Sequence, residues 1–185
     1  MTDDLIMAEV RDGRVERLAI LFERYQVMLF NFFLRLTGNR STSEDLVQEV
    51  FIRILKYRLT YRGEDRFTCW MYRIAHNAHI DHLRRHKDAL PLDDQYRETA
   101  SAEPSVEDTV AREQEVALLS KALTRLPQDK QKVLVLRRFQ NLKYKEIAEL
   151  LDCPVGTVKA LVHRAVKELG DIYSDLRQEG CRHEV

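Results

Sequence analysis

Cysteine, proline and glycine are scarce in this chain of 185 residues, which holds three, four and six of them. The few glycines form no phosphate-cradling loop, and neither a serine nucleophile elbow nor an HExxH helix is present. Carboxylates abound, but none sits in a recognisable catalytic constellation, so no catalytic residue, cofactor or enzymatic activity is expected. Cys69, Cys153 and Cys181 are widely spaced and odd in number, which points to a reducing cytoplasm. No apolar run approaches the roughly 20 residues that span a bilayer. The opening MTDDLIMAEVRDG is acidic and lacks the basic flank and long apolar core of a signal peptide. Membrane insertion is therefore not expected, and a cytoplasmic location is.

Net charge is absent too: 30 Lys and Arg offset 30 Asp and Glu. The balance hides a partition. Residues 88–115 carry nine acids and two bases, whereas 121–167 carry eleven bases and four acids. A polyanion senses charge within about a Debye length, so the local field decides whether nucleic acid is a feasible partner. With 44% hydrophobic and 32% charged residues, the chain can build a packed core. The acidic stretch DALPLDDQYRETASAEPSVEDTV holds two of the four prolines and has no sustained period. It predicts a flexible linker over 88–110 between two small helical domains, 1–87 and 111–185. By composition alone that linker is a solubilising tether.

In the first domain, Val15, Leu18, Phe22, Tyr25, Leu29, Phe32, Phe33 and Leu36 make a helical apolar stripe, with Gly38 as its stop. Ser41-Thr42-Ser43-Glu44 matches a capping box. The helix it opens turns Leu46, Val47, Val50, Phe51, Ile54 and Leu55 inward and shows Asp45, Gln48, Glu49, Arg53 and Lys56 outward. Such a face is either a docking surface or an ordinary solvated one. After a glycine-containing polar loop, Phe67, Trp70, Met71, Ile74, Ala75 and Ala78 form a buried stripe. Arg73, Asn77, Asp81 and Arg84 recur on another face, followed by Arg85, His86 and Lys87. Basic residues can neutralise phosphates, and aromatics and Asn can hold unpaired bases. Phe67 and Trp70 belong to the core, whereas Arg73, Asn77 and Arg84 fit a solvent-facing strip as well as a strand-binding one. His76, His79, His82 and His86 have spacings that raise zinc as a question. A basic hydrogen-bonding surface explains them without metal, and Cys181 with His183 supplies too few ligands, so no metal site is expected.

The second domain holds Tyr144–Leu169, YKEIAELLDCPVGTVKALVHRAVKEL. Two apolar-periodic segments flank a break at Asp152-Cys153-Pro154. Val158, Leu161, Val162, Ala165 and Leu169 share one helix face, and Lys159, His163, Arg164 and Lys167 lie off it. A short helix, a turn and a second helix with a basic outer face fit a DNA major groove. The tail 171–185 lies beyond the pattern.

SEDLVQEVFIRIL, FTCWMYRIAHNAHIDHLRR and LTRLPQDKQKVLVLRRFQNLKYKEIAELLDCPVGTVKALVHRAVKEL, in this order, resemble the extracytoplasmic-function (ECF) sigma factors of bacterial RNA polymerase. The resemblance spans roughly 15–170 and implies an all-α protein. Its region 2 would bind core polymerase and melt the minus-ten promoter element, and its region 4 would read the minus-thirty-five element. It places Asp45, Gln48, Glu49 and Arg53 on polymerase. Gly63, Asp65, Phe67, Arg73, Asn77, Arg84 and Arg85 would meet the melted minus-ten strand. Thr157, Lys159, Ala160, His163, Arg164 and Lys167 would lie at the minus-thirty-five groove. It implies core RNA polymerase, promoter DNA and a separate anti-sigma factor as partners, and an acidic linker that follows a positively charged channel. Ala160, Leu161 and Val166 stand where many relatives carry Ser, Arg and Arg, which predicts fewer phosphate contacts. A LuxR-type helix-turn-helix regulator would share the C-terminal block alone. A sigma-mimicking adaptor that binds protein and not promoter DNA is the third alternative.

Overall fold

The first helix, α1 (Asp3–Arg11), comes from the stretch with no signal-peptide character. Thr2 is extended, and its hydroxyl accepts the Leu5 amide at 3.4 Å. Asp3 and Asp4 fill the first turn and Arg11 the last, each matched to the helix dipole. Ile6, Met7 and Val10 are fully buried, so α1 is part of the core. The structure, a computed structural model, describes residues 1–63, 66–87 and 108–182. Every regular element among the described residues is helical. The chain falls into two compact units, Met1–Leu34 with Ser41–Tyr96, and Arg35–Arg40 with Arg97–Val185.

A short 3-10 turn over Val15–Arg17 precedes α2 (Leu18–Thr37), which ends at Gly38 with φ +66°. That left-handed conformation favours glycine. Leu21, Tyr25, Leu29, Phe32, Phe33 and Leu36 are the buried stripe of α2. Val15 and Phe22, expected inward, are exposed. The helix starts three residues after Val15, so Leu21 takes the inner phase, and Phe22 packs on Phe51 at a ring separation of 4.9 Å from the rim. The Tyr25 hydroxyl donates to Asp3 at 2.5 Å, and burial together with that bond raises its pKa.

The next helix, α3 (Arg40–Tyr57), buries Ser43, Leu46, Val47, Val50, Phe51 and Ile54. It begins at Arg40, so Ser41 lies inside the first turn and cannot be the non-helical cap of the expected capping box; Asn39 precedes the helix instead. Leu55 is exposed, because it sits about 100° round the helix from Ile54 and past the edge of the stripe. After a second 3-10 turn, Arg58–Thr60, helix α4 (Phe67–Lys87) buries Phe67, Met71, Tyr72, Ile74, Ala75, Ala78 and His79. Trp70 is half-buried. Aromatic edges join the helices: Tyr72 meets Phe32 at 5.3 Å and Tyr25 meets Phe67 at 5.4 Å.

The second unit carries α5 (Asp108–Arg125), α6 (Gln128–Arg138), α7 (Tyr144–Leu151) and α8 (Val155–Arg182). Of the acidic segment 88–110, residues 88–107 lie outside the described residues and 108–110 open α5. Pro127, with φ −52°, starts α6 without needing an amide hydrogen. The Glu146 carboxylate accepts the Lys143 amide at 2.7 Å and caps α7. Asp152 then turns through φ +51°, a conformation Asp tolerates better than most side chains, and Pro154 leads into α8. Helix α8 packs on α5, α6 and α7 through Val158, Val162, Ala165 and Leu176. Lys130 of α6 pairs with Glu168 of α8. The tail expected beyond the pattern is helical to Arg182, and Leu176 in it is buried.

Candidate polymerase and promoter interfaces

On α3 the buried stripe fixes what faces outward. Asp45 and Gln48 are exposed, and Glu49 is half-buried. Arg53 is largely enclosed: its Nε donates to Glu49 Oε1 and its Nη1 to Asp81 Oδ2 on α4, both at 2.7 Å. Burial alone would lower the Arg53 pKa, but the bonds and charges of those two carboxylates outweigh it and raise it. Arg53 therefore ties α3 to α4 more than it offers itself to a partner. Ile52, 62% exposed between Gln48 and Lys56, was not among the expected site residues. Its signal is simple: an isoleucine off the apolar stripe of an amphipathic helix.

Gly63 adopts φ +75°, and a Cβ added there would meet nothing within 4 Å, so its requirement is conformational. Asp65 lies outside the described residues. Phe67 is 1% exposed and cannot stack on a base; it leaves the set of strand contacts because the aromatic cluster with Tyr25, Tyr61 and Trp70 claims its ring. Tyr72 is equally buried. Arg73, Asn77, Arg84 and Arg85 are all exposed. The first three follow at intervals of four and seven residues, which puts them on one strip of α4. Arg85 donates Nε to the Asp81 carbonyl at 3.3 Å. The strip is polar and basic, with Trp70 the one half-exposed aromatic near its start.

Four histidines also lie on α4. His82 and His86 stack with ring centroids 4.0 Å apart. Burial, then the nearby His86 and Arg85, lower the His82 pKa against the opposing pull of Asp45. Among the described residues, no three His, Cys, Asp or Glu side chains converge to hold a metal.

On α8, Thr157, Lys159, Ala160, His163, Arg164 and Lys167 are exposed while Val158, Val162 and Ala165 are buried. One helix thus carries a continuous basic outer face directly after the α7 turn. Arg164 Nε donates to the Ala160 carbonyl at 3.3 Å. The Arg137 guanidinium lies 4.9 Å above the Tyr144 ring and donates to the Leu142 carbonyl, which braces the α6–α7 connection. Among the described residues, no helix is long and apolar enough to cross a membrane.

The chain is similar to known proteins. Residues 21–89 match the Sigma-70 region 2 family, and residues 117–169 match Sigma-70, region 4. The chain is 32% identical to the ECF RNA polymerase sigma-E factor of Haemophilus influenzae over 89% of this chain and 92% of that one. It is 31% identical to the RNA polymerase sigma factor YlaC of Bacillus subtilis, over 86% and 93%. To the RNA polymerase sigma-H factor of Pseudomonas aeruginosa it is 28% identical, over 96% of each. In fold it is similar to CnrH, solved in complex with the cytosolic domain of CnrY, with a TM-score of 0.72 at 20% identity over 94% and 97% of the two chains. The match over 21–89 is what a LuxR-type regulator would lack.

Proposed function

Because the chain belongs to the ECF sigma factors of the sigma-70 family, we propose how its parts divide the work of an alternative sigma factor. A sigma factor is a transcription initiation factor rather than an enzyme: it binds core RNA polymerase and brings it to promoter DNA. Residues 1–87 act as region 2. Asp45, Gln48 and Glu49 dock on the polymerase, Ile52 adds an apolar contact, and Arg53 keeps the face in register. Gly63 and Asp65 on the approach to α4, with Arg73, Asn77, Arg84 and Arg85 along it, take the melted minus-ten strand. An exposed Asn beside arginines suits unpaired base edges and phosphates. Residues 111–185 act as region 4, with Thr157, Lys159, Ala160, His163, Arg164 and Lys167 at the minus-thirty-five groove. Residues 88–110 connect the two within the polymerase.

The observation that carries this reading is the exposed basic face of α8 opposite a stripe in which Val158, Val162 and Ala165 are buried and Leu161 and Leu169 half-buried, in a chain whose other half presents an acidic and amide face on α3. A separate anti-sigma factor restrains the protein, as RpoE of Bartonella quintana, which shares the fold at a TM-score of 0.68, was solved with the anti-sigma factor NepR. The chain added to core polymerase alone should direct run-off transcription from its own promoter. Asp45→Arg with Gln48→Arg should weaken core retention with helicity intact. Promoter-directed transcription absent from this minimal mixture would overturn the reading, and unchanged retention would misplace the docking face.

A further inference from the structure

We propose that Asp4, on the N-terminal helix, is a positioning residue for promoter reading: it holds both flanks of the Gly63 turn and the start of α4. One carboxylate oxygen, Oδ1, accepts the Tyr61 phenol at 2.6 Å and the Phe67 amide at 2.8 Å. Phe67 is the first residue of α4, and the amides of a first helical turn have no carbonyl within the helix to bond. The Arg66 carbonyl takes the Cys69 and Trp70 amides, so the Phe67 amide is bonded across the fold, from a helix 63 residues earlier in the chain. An anionic acceptor there also complements the positive end of the α4 dipole.

The carboxylate stands on a fixed post. Three α1 side chains, Ile6, Met7 and Val10, are fully buried, and the neighbouring Asp3 takes Tyr25 and Arg24, each at 2.5 Å. Its partners are fixed as well. Tyr61 is 3% exposed and packs on Trp70 at 5.2 Å, and Arg11 at the far end of α1 reaches the Tyr61 carbonyl at 3.5 Å. Between Tyr61 and Phe67 the chain turns at Gly63, a residue chosen for freedom rather than stiffness. Reading a base needs placement to within about 0.5 Å, which a glycine turn does not supply by itself. The direction in which α4 carries Arg73 and Asn77, and the placement of Tyr61 ahead of Gly63, then both refer to one carboxylate. The proposal rests on the reading that this turn and this strip meet the minus-ten strand.

The test is a library of promoters varied at each minus-ten base, transcribed by holoenzyme built with the full chain. Asp4→Ala should compress the base preferences there by about three-fold or more, the scale of a lost hydrogen bond, with minus-thirty-five preferences unchanged. Asp4→Asn retains an acceptor oxygen and should restore most of the preference. Tyr61→Phe keeps the packed ring, removes one bond and should give an intermediate loss, so the test stands even where Asp4→Ala fails to fold. A plain stabilising role would scale all promoters alike, and preferences in proportion to wild type for Asp4→Ala or Tyr61→Phe would overturn the proposal. Asn77→Ala distinguishes the two levels. If it shifts preferences and the Asp4 and Tyr61 variants do not, the clamp alone is wrong. If none shifts them, the minus-ten assignment fails and the clamp with it.

Discussion

Lys159 and Arg164 carry the same charge on the same face of α8, yet their chemistry separates their work. A guanidinium can pair two hydrogen bonds with guanine, worth about 1–3 kcal/mol of base discrimination, whereas an ammonium acts on phosphate as a point charge. Arg164→Ala should relax specificity in the minus-thirty-five element. Lys159→Ala should lower affinity evenly and reduce the salt slope by about one. A promoter-variant library scored at two salt concentrations checks both, and unchanged base preferences for Arg164→Ala would contradict its role. His82 gives a pH dependence. Burial lowers its pKa in the folded chain below the ordinary 6.5, with His86 and Arg85 adding to the effect and Asp45 opposing it. The unfolded chain therefore binds the proton first, so stability is full above pH 6.5 and falls as pH drops from 6.5 through the folded value. Urea midpoints between pH 7.5 and 5.5 should show this loss, and His82→Gln should reduce it. At this scale the exposure of all six α8 residues was legible, because one buried stripe sets the phase of its helix. The burial of Phe67 was legible in its stripe, but that of Tyr72 was not, since an aromatic beside arginines reads the same whether it stacks on bases or fills a core. Arg53 was not either, because its partner Asp81 lies 28 residues away on another helix.

Element boundaries depend on caps and on packing partners, and the two are unequally visible. Gly38 announced the end of α2 because few other residues accept its φ of +66°. Ser41–Glu44 imitates a capping box, but the helix had already begun at Arg40, and a four-residue pattern cannot tell a cap from a first turn. Helix α1 went unread because nine residues with two leading acids look like a solvated end until Ile6, Met7 and Val10 meet a core. The extension of α8 past Gly170 was missed, although Ala165, Leu169, Ile172, Tyr173 and Leu176 continue the helical period there. A chain ending at Gly170 should lose about 2 kcal/mol from the second unit, the scale of re-exposing one leucine. Gly170→Ala should do the reverse. Gly170 is exposed within α8, and a Cβ there meets nothing within 4 Å. The variant should gain about 0.5–1 kcal/mol from helix propensity alone. Urea unfolding of the full chain measures both. A neutral truncation would mean that Leu176 packs without consequence, and a destabilised Gly170→Ala would mean that a side chain there is not accommodated within the folded chain.

Over the whole molecule, zero net charge is an average of opposed fields. Residues 88–115 hold nine acids against two bases, next to 121–167 with eleven bases against four acids. The α5 start at Asp108 places the end of the acidic run on a helix, and the other acids from Asp88 to Glu107 precede it in the chain. A tether needed only for reach would gain extension and solubility from such charge but no preferred place to lie. A tether lodged in a basic channel gains Coulomb attraction at every acid, and in a channel poor in water that attraction is screened less than on a surface. A segment lodged there would also have to yield to nascent RNA, a stronger polyanion, so on this reading its acidity would bear on both assembly and early synthesis. Neutralising Asp93, Asp94, Glu107 and Asp108 to Asn and Gln keeps size and hydrogen bonding and removes four charges. Run-off yield should fall and the ratio of abortive to full-length RNA should change. The salt optimum of initiation should move to lower ionic strength, where the remaining charges act more strongly. Far-UV helicity and the urea midpoint of the isolated chain should stay as in wild type. Run-off and abortive yields equal to wild type at every salt concentration would return the segment to a plain tether.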